Sequence, residues 1–384
     1  MQKGRAHQEV LTGGPRPVRV WFLLGLIGCG DGAGGRTSSS AVVSVELPSA
    51  SAVALAPSAS VSSKPLPPPR PPLPNPDLYP QKLDEQREAM FGRMKVMLAL
   101  GDGEITAVKA IFEKSPVLGQ GNPEITEYAM TRAECMKVRA EANVVDEDDP
   151  ICGAPFMVPL WDPKAGETRA DAKVCIDRYE FPNIPCEYPV TWVQGVEAAK
   201  LCKAVGKRIC DTHEWEGGCA GALHAPDVEY KFGKPRKEMK FSHNADREIV
   251  WAYGAQKDHT KCGTASHKNK TCKESGWKKC GSNSYPAGSF PACKSSFGVY
   301  DQHGNVAEHM NMPLNAKQLA SAGGAGETEM KGSWFIFQKF EAHDDDCRWR
   351  APDWHAAKLM SPDSHLNYHL GFRCCKDVGP APAK

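Results

Sequence analysis

The sequence has almost no excess of charge of either sign: 47 Lys and Arg stand against 46 Asp and Glu in 384 residues. A chain without net charge has no long-range field to attract a polyanion, and no block of basic residues forms a stripe that could follow a phosphate backbone. The composition therefore argues against nucleic acid as a partner.

The sequence also lacks an apolar run long enough to cross a bilayer permanently. Four basic residues precede a short apolar run at residues 20–27, whereas a membrane-spanning helix needs about 20 apolar residues. We therefore predict a secretion signal over residues 1–28. Residues 26–29, L-I-G-C, resemble a bacterial lipobox, which implies that Cys29 is lipidated and anchors the protein in the membrane. The alternative is a chance match within an ordinary signal peptide.

By the same resemblance, Gly30 in place of an acidic residue favours the outer membrane, so we expect a lipid-anchored cell-envelope protein. Residues 29–78 have little apolar surface to bury and are rich in Ser, Ala and Pro, ending in the proline run at residues 67–72. Such a composition cannot offset its ordering entropy by burial. We predict a tether.

The cysteines lack the repeated C-x-x-C spacing of structural zinc sites. There are fifteen of them, which is many for a reducing cytosol, so an oxidising compartment explains them better. Setting Cys29 aside leaves fourteen (15 − 1), an even number that can close as up to seven disulfides. Unpaired buried cysteines would account for one or two of them only.

The segment 79–150 lacks histidine. Apolar residues recur there at spacings of three and four around Met90 and Met94, and again around Ile105 and Val108, with a less regular third pattern at residues 125–135. We predict a small helical layer packed on the main domain, with the methionines filling its core.

Within the main domain, alternation at residues 175–180 predicts a short strand. A helix is predicted over residues 192–205 with Gly206 after its end, and a second helix is predicted with Thr212 as its N-cap. Cys210 and Cys219 bracket that second helix and are candidates to staple it. Residues 220–293 are rich in loops, and the lysine-bearing insertion at 261–279 is interpreted as a disulfide-braced loop rather than a metal knuckle.

One stretch concentrates carboxylates and glycines, at residues 297–309 (F-G-V-Y-D-Q-H-G-N-V-A-E-H). Glycines permit turns that let carboxylates and carbonyls converge on one point, and calcium accepts such oxygen ligands in irregular geometry. The alternative is an ordinary glycine turn with solvated acids.

This stretch resembles the G-L-Y-D-M-x-G-N-V-W-E-W signature of the formylglycine-generating enzyme family, also called sulfatase-modifying factor domains. Ala307 and His309 stand where that family has tryptophans. Three further stretches match in the same order, and a fourth, residues 332–334, matches the family's G-G-S-W in part. The three are residues 176–183 (I-D-R-Y-E-F-P-N), 206–216 (G-K-R-I-C to E-W-E) and 371–374 (G-F-R-C).

The resemblance implies an α+β fold, the family's irregular variant of the C-type lectin fold, over residues 151–378, followed by a tail at 379–384. It also implies a structural calcium ion. The ligands carried over are the side chain of Asp301, the carbonyls of Gly304 and Val306, and the carboxylate of Glu308.

The founding enzymes of the family oxidise a substrate cysteine to formylglycine with oxygen, using copper(I) held by two cysteines. Aligning Trp349-Arg350 with the family's aromatic-arginine pair places Asp346 and Ala351 at the copper positions. Cys347 is then one residue out of register, which argues against copper because copper(I) needs both soft thiolates.

Two functions follow from this resemblance. The preferred one is a binding or scaffolding module whose lectin-like groove holds a protein, peptide or glycan ligand. The alternative is an oxidase with a rearranged site, for which Cys347 and Ser333 are the candidate catalytic residues and Cys374 and Cys375 further thiols.

A second branch of the family, the iron-dependent sulfoxide synthases, takes histidines from an N-terminal helical bundle, and segment 79–150 has none to supply. Histidines do occur near the matched motifs, at positions 303, 309, 365 and 369. A metal site among them is a further hypothesis, against the alternative that each is an ordinary hydrogen-bonded residue.

Overall fold

The computed structural model describes residues 80–379, except 273–275, 323, 352 and 354–355. The predicted signal peptide, the lipidation site Cys29 and nearly all of the tail lie outside the described residues, as does the predicted tether. None of the described helices is long and apolar enough to cross a membrane.

The N-terminal segment forms three helices, as its spacing predicts: α1 (Leu83–Met97), α2 (Asp102–Lys114) and α3 (Arg132–Glu141). Met90 and Met94 of α1 are buried in the same apolar core as Val108 of α2. This confirms that the methionines fill a core. That core continues into the main domain, where it includes Leu201.

Helix α3 begins where its capping chemistry requires. Thr131 Oγ1 accepts a hydrogen bond from the backbone N–H of Glu134, and the Glu134 carboxylate accepts one from the N–H of Thr131 at 2.7 Å. This reciprocal pair satisfies two of the amide groups that a helix start leaves without partners. A disulfide from Cys135 to Cys186 then fixes the helix to the main domain.

Two small sheets form the centre of the main domain. The first has the order β1 (Met157–Leu160), β2 (Val174–Asp177), β7 (Cys374–Asp377) and β3 (Arg208–Ile209), with antiparallel pairing throughout. In the second, β4 (Ala307–Met312) pairs antiparallel with β5 (Glu327–Lys331) and parallel with β6 (Leu370–Phe372). The α+β, disulfide-rich fold class is confirmed.

Four helices surround these sheets: α4 (Gly195–Ala204), α5 (Thr212–Ala220), α6 (Pro226–Tyr230) and α7 (Arg236–Asp246). Gly206 follows α4 with φ +71°, in the left-handed conformation expected after a helix end. The cap of α5 is Asp211 rather than Thr212, because the Glu214 carboxylate accepts the N–H of Asp211.

Helices α6 and α7 lie in the region that the sequence predicts to be loop-rich, so that prediction is wrong there. Helix α7 buries one apolar side chain, Met239, beside two polar ones, Lys240 and His243. A helix whose buried face is largely polar gives no apolar repeat to detect.

The fourteen cysteines among the described residues are paired in seven disulfides, the largest number that the sequence allows. The pairs are Cys135–Cys186, Cys152–Cys175, Cys202–Cys374, Cys210–Cys375, Cys219–Cys347, Cys262–Cys293 and Cys272–Cys280. Two of them, Cys262–Cys293 and Cys272–Cys280, brace the insertion at residues 261–279, which confirms the predicted disulfide-braced loop. Cys210 and Cys219 do not staple their helix, because each bonds to a residue of the C-terminal region instead.

Candidate functional site

The glycine-rich stretch forms a buried loop that leads into β4. Asp301 and Gly304 have φ of +59° and +75°. A Cβ atom on Gly304 would lie 2.6 Å from the carbonyl oxygen of Gly263, so only glycine fits at this crossing. The loop therefore turns where the sequence predicts and packs directly on the segment at Gly263.

The loop brings Asp301 and Glu308 together with a third acid, Glu180. Asp301 Oδ2 accepts the N–H of Gly288 at 2.5 Å. Glu308 accepts two hydrogen bonds from the guanidinium of Arg373, at 2.6 and 2.7 Å. Glu180, three residues after the end of strand β2, accepts a hydrogen bond from the backbone N–H of Val306 at 3.0 Å. This hydrogen bond holds the loop against the end of β2.

This acidic cluster has three buried carboxyl groups around one guanidinium. Burial, opposed in part by hydrogen bonding and by Arg373, raises the pKa of Asp301 to about 6. Burial and then the charges of Asp301 and Glu308 raise the pKa of Glu180 well above its usual range. The cluster thus holds more acid than Arg373 can neutralise, and its oxygen donors suit a hard cation.

The predicted calcium ligands fit such a cation in charge and donor type. Asp301 and Glu308 would supply carboxylate oxygens, and Gly304 and Val306 would supply carbonyls. Glu308 has only part of its lone-pair capacity left, since Arg373 binds both of its oxygens and Trp215 Nε1 donates to one at 3.0 Å. Calcium binding stays a prediction.

A second buried network starts at the same loop. The N–H of Gly304 donates to Ser333 Oγ at 2.9 Å, and Ser333 Oγ donates to Asp345 Oδ2 at 3.0 Å. Asp345 also lies 3.1 Å from Trp251 Nε1 and 3.2 Å from His259 Nε2. Burial opposes ionisation of Asp345, but these partners outweigh it and hold the pKa of Asp345 well below its usual range.

His303 lies between this network and a disulfide. Its Nε2 accepts the N–H of Ala252 at 3.0 Å, so the neutral ring carries its proton on Nδ1, which lies 3.9 Å from Asp345 Oδ2. The same Nε2 is 3.3 Å from the sulfur of Cys219 and 3.7 Å from that of Cys347. Burial lowers the pKa of His303 to about 4, so the ring is neutral near pH 7.

The structure thus brings the two candidate catalytic residues, Ser333 and Cys347, into one buried cluster. Cys347 is bonded to Cys219, however, and a disulfide sulfur is not a thiolate ligand. The positions that match the family's copper cysteines offer no sulfur either. Asp346 binds the guanidinium of Arg247 at 2.8 Å, and Ala351 has only a methyl group.

The same region of the chain matches a known domain. A family model described as the sulfatase-modifying factor enzyme 1-like domain matches residues 120–378. The chain belongs to this family. The match begins ahead of residue 151, where the sequence predicts the domain to start, and so takes in helix α3 of the predicted helical segment.

Two further comparisons add little to the assignment to the sulfatase-modifying factor family. No curated protein sequence matches the chain. Among solved structures, the crystal structure of CarF is similar at 12% identity, covering 68% of this chain and 98% of that chain, with a TM-score of 0.28. A TM-score this low supports no conclusion about function.

The four histidines near the family motifs do not form one metal site among the described residues. His309 Nε2 lies 3.1 Å from the backbone oxygens of Val193 and His365, whereas His369 stacks on Trp334 with ring centroids 4.3 Å apart. Of the four, His303 alone joins the Ser333 and Cys347 cluster.

Sequence reasoning missed several residues of this candidate site. Glu180 and Arg373 lie inside matched motifs, so the resemblance was a signal that could have drawn attention to them. Asp345 sits in a run of three aspartates, and nothing local distinguishes it from its neighbours. His259 and Cys219 come from distant segments and join the site only through the fold.

Proposed function

We propose that this chain is a lipid-anchored cell-envelope protein whose sulfatase-modifying factor domain binds a ligand and does not oxidise one. The observation that carries the proposal is the disulfide between Cys219 and Cys347. Copper(I) chemistry of the family's kind needs two thiolates on one ion. The domain has Asp346 and Ala351 at the matched positions, and its nearest cysteine is already bonded.

The envelope location is supported by the cysteine usage. The described residues form seven disulfides. Disulfides persist in an oxidising compartment and are rare in a reducing one. The short apolar run and Cys29 would supply export and the lipid anchor, and a second acyl chain makes such anchoring stable.

For the ligand we favour a peptide, held in a cleft of about 590 Å³ beside helix α4. Its floor is aliphatic, with Ile209 and Leu359, and its rim is basic, with Lys200 and Lys203 exposed to solvent. Among the described residues that line the cleft there is no carboxylate and no aromatic ring. A glycan would lack a stacking surface there, whereas an apolar side chain flanked by acidic residues would find complementary groups.

Oxygen uptake tests the proposal directly. The secreted protein is supplied with copper and a sulfatase-type cysteine peptide, and its free thiols are counted before and after denaturation. We expect no free thiol among the fourteen cysteines other than Cys29 and no peptide-dependent oxygen consumption. Turnover that disappears in Cys347→Ala would show that the domain is an oxidase.

The peptide site is tested with a fluorescent peptide of alternating Asp and Leu. Reversing one rim charge, Lys203→Glu, should weaken its binding about tenfold, because attraction is replaced by repulsion at the rim. Lys317→Glu makes the same change at an exposed position outside the cleft and should leave binding unchanged. Equal effects of the two substitutions would remove the cleft from consideration.

A further inference from the structure

Three atoms with metal-binding chemistry meet beside the Ser333 network. They are the sulfurs of Cys219 and Cys347 and Nε2 of His303, and all lie within 4.8 Å of one another. Each comes from a different segment: helix α5, the loop after β5 and the loop before β4. All three side chains are buried, at 1% exposure or less.

The orientation of His303 suits a ligand role. The amide of Ala252 donates to Nε2, so this nitrogen is the unprotonated one, and the two sulfurs lie 3.3 and 3.7 Å from the same atom. Nδ1 faces Asp345, and a carboxylate behind a histidine ring is the arrangement that fixes the tautomer of metal-binding histidines. Two thiolates and one neutral imidazole are a common ligand set for zinc, with a fourth position open.

A second disulfide, Cys210–Cys375, also has a possible metal ligand beside it, but that ligand is already engaged in other interactions. Glu214 lies beside Cys210 and Cys375, but both of its oxygens bind the guanidinium of Arg208, at 2.6 and 2.8 Å. Arg208 therefore neutralises the carboxylate of Glu214 and fixes its position, so this carboxylate is a poor metal ligand. Nε2 of His303 has only one backbone hydrogen bond to exchange for a metal ion.

We propose that Cys219, His303 and Cys347 form a binding site for a thiophilic metal ion such as Zn²⁺. The disulfide between Cys219 and Cys347 blocks metal binding at this site until it is reduced. A phosphine or dithiol reductant supplies two electrons, two protons complete the thiols, and the reductant is itself oxidised. The metal ion then displaces both thiol protons, and Nε2 exchanges the Ala252 hydrogen bond for the ion. This site is independent of the proposed peptide binding.

The test uses the full chain, graded reduction by a phosphine, and Cd²⁺ as the probe. Thiols are mapped by alkylation and mass spectrometry at each step, and bound Cd²⁺ is measured by dialysis and by thiolate-to-metal absorption. Cys272 is partly exposed, so the disulfide Cys272–Cys280 should open before the buried Cys219–Cys347. We expect one Cd²⁺ per molecule to appear only when Cys219 and Cys347 become free.

Three variants separate this site from other thiols. The double variant Cys219→Ser/Cys347→Ser should lose this Cd²⁺, and His303→Asn should bind it about tenfold or more weakly. Cys272→Ser/Cys280→Ser should keep it. The proposal would be overturned if Cd²⁺ bound equally well to Cys219→Ser/Cys347→Ser, or if Cd²⁺ binding appeared when Cys272 became free. If Cys219→Ser/Cys347→Ser does not fold, an unchanged Cd²⁺ affinity in His303→Asn would overturn the proposal.

Discussion

At the scale of single residues, several charged side chains of this protein are buried in ion pairs, among them Glu216, Lys331 and Arg350. Glu216 accepts two hydrogen bonds from Arg350, at 2.9 Å each, and one from Lys331 at 3.0 Å. Burial opposes the ionisation of Glu216, but these two cations outweigh it and lower its pKa to about 2. Removing one member of such a buried group leaves the others uncompensated.

We therefore predict that Glu216→Gln destabilises the protein by about 3–5 kcal/mol at pH 7. Because the folded pKa lies below the ordinary value of 4.5, the contribution of Glu216 is present above pH 4.5 and lost as the pH falls toward 2. Urea unfolding between pH 7 and 2.5 measures this. The curve of the variant should be flatter than that of the wild type below pH 4.5, and parallel curves would contradict the assignment.

At the scale of elements, the loop before β4 joins two sites. Gly304 is packed against Gly263, and its amide donates to Ser333, while Asp301 on the same loop belongs to the acidic cluster. A change in one part of the loop is therefore expected to reach the other. The excess of buried carboxylate around Arg373 is the physical reason to expect a cation here.

We predict that calcium stabilises the protein through this loop. At one hundred times its dissociation constant, a ligand of the native state adds about 2.7 kcal/mol, and Asp301→Asn should remove most of that gain because it removes a charged ligand. Thermal unfolding with calcium, with magnesium and with a chelator measures the effect. The exposed Asp363→Asn is the matched control, and an equal calcium response in both variants would exclude Asp301 as a ligand.

Helices at the same scale differ in how well the sequence predicts them. Helices α1 and α2 were predictable because Met94 and Val108 belong to regular apolar stripes that face one core. Helix α7 was not, because it buries Lys240 and His243, whose partners lie in other segments. Local periodicity detects a helix only when its buried face is apolar.

At the scale of the whole molecule, disulfides connect the C-terminal strand β7 to helix α4 and to the segment ahead of helix α5. Cys202–Cys374 closes a loop of 172 residues, whereas Cys272–Cys280 closes one of 8. In the chain-entropy account a crosslink stabilises by restricting the unfolded chain, and more so for the longer loop. Strand β7 thus depends on covalent bonds to segments that are far away in sequence.

This difference gives a further prediction. In a background that lacks Cys210–Cys375, which joins nearly the same two segments, replacing both cysteines of Cys202–Cys374 by alanine should cost roughly 1–2 kcal/mol more than the same change at Cys272–Cys280. This follows from the logarithm of the two loop lengths, with the longer loop shortened by Cys219–Cys347. Denaturant unfolding of the two double variants measures the difference. Equal losses would show that strain or residual structure dominates over chain entropy.

The sequence by itself determined the family, the helical layer and the number of disulfides, because ordered motifs, apolar spacing and an even cysteine count are local or compositional properties. It also determined that Asp301 and Glu308 lie on one stretch of chain that turns at Gly304. Only the tertiary structure decided that Cys347 bonds to Cys219, and that Asp345 and His303 meet beside them. Those contacts join residues far apart along the chain, and no local pattern encodes which distant segments pack together.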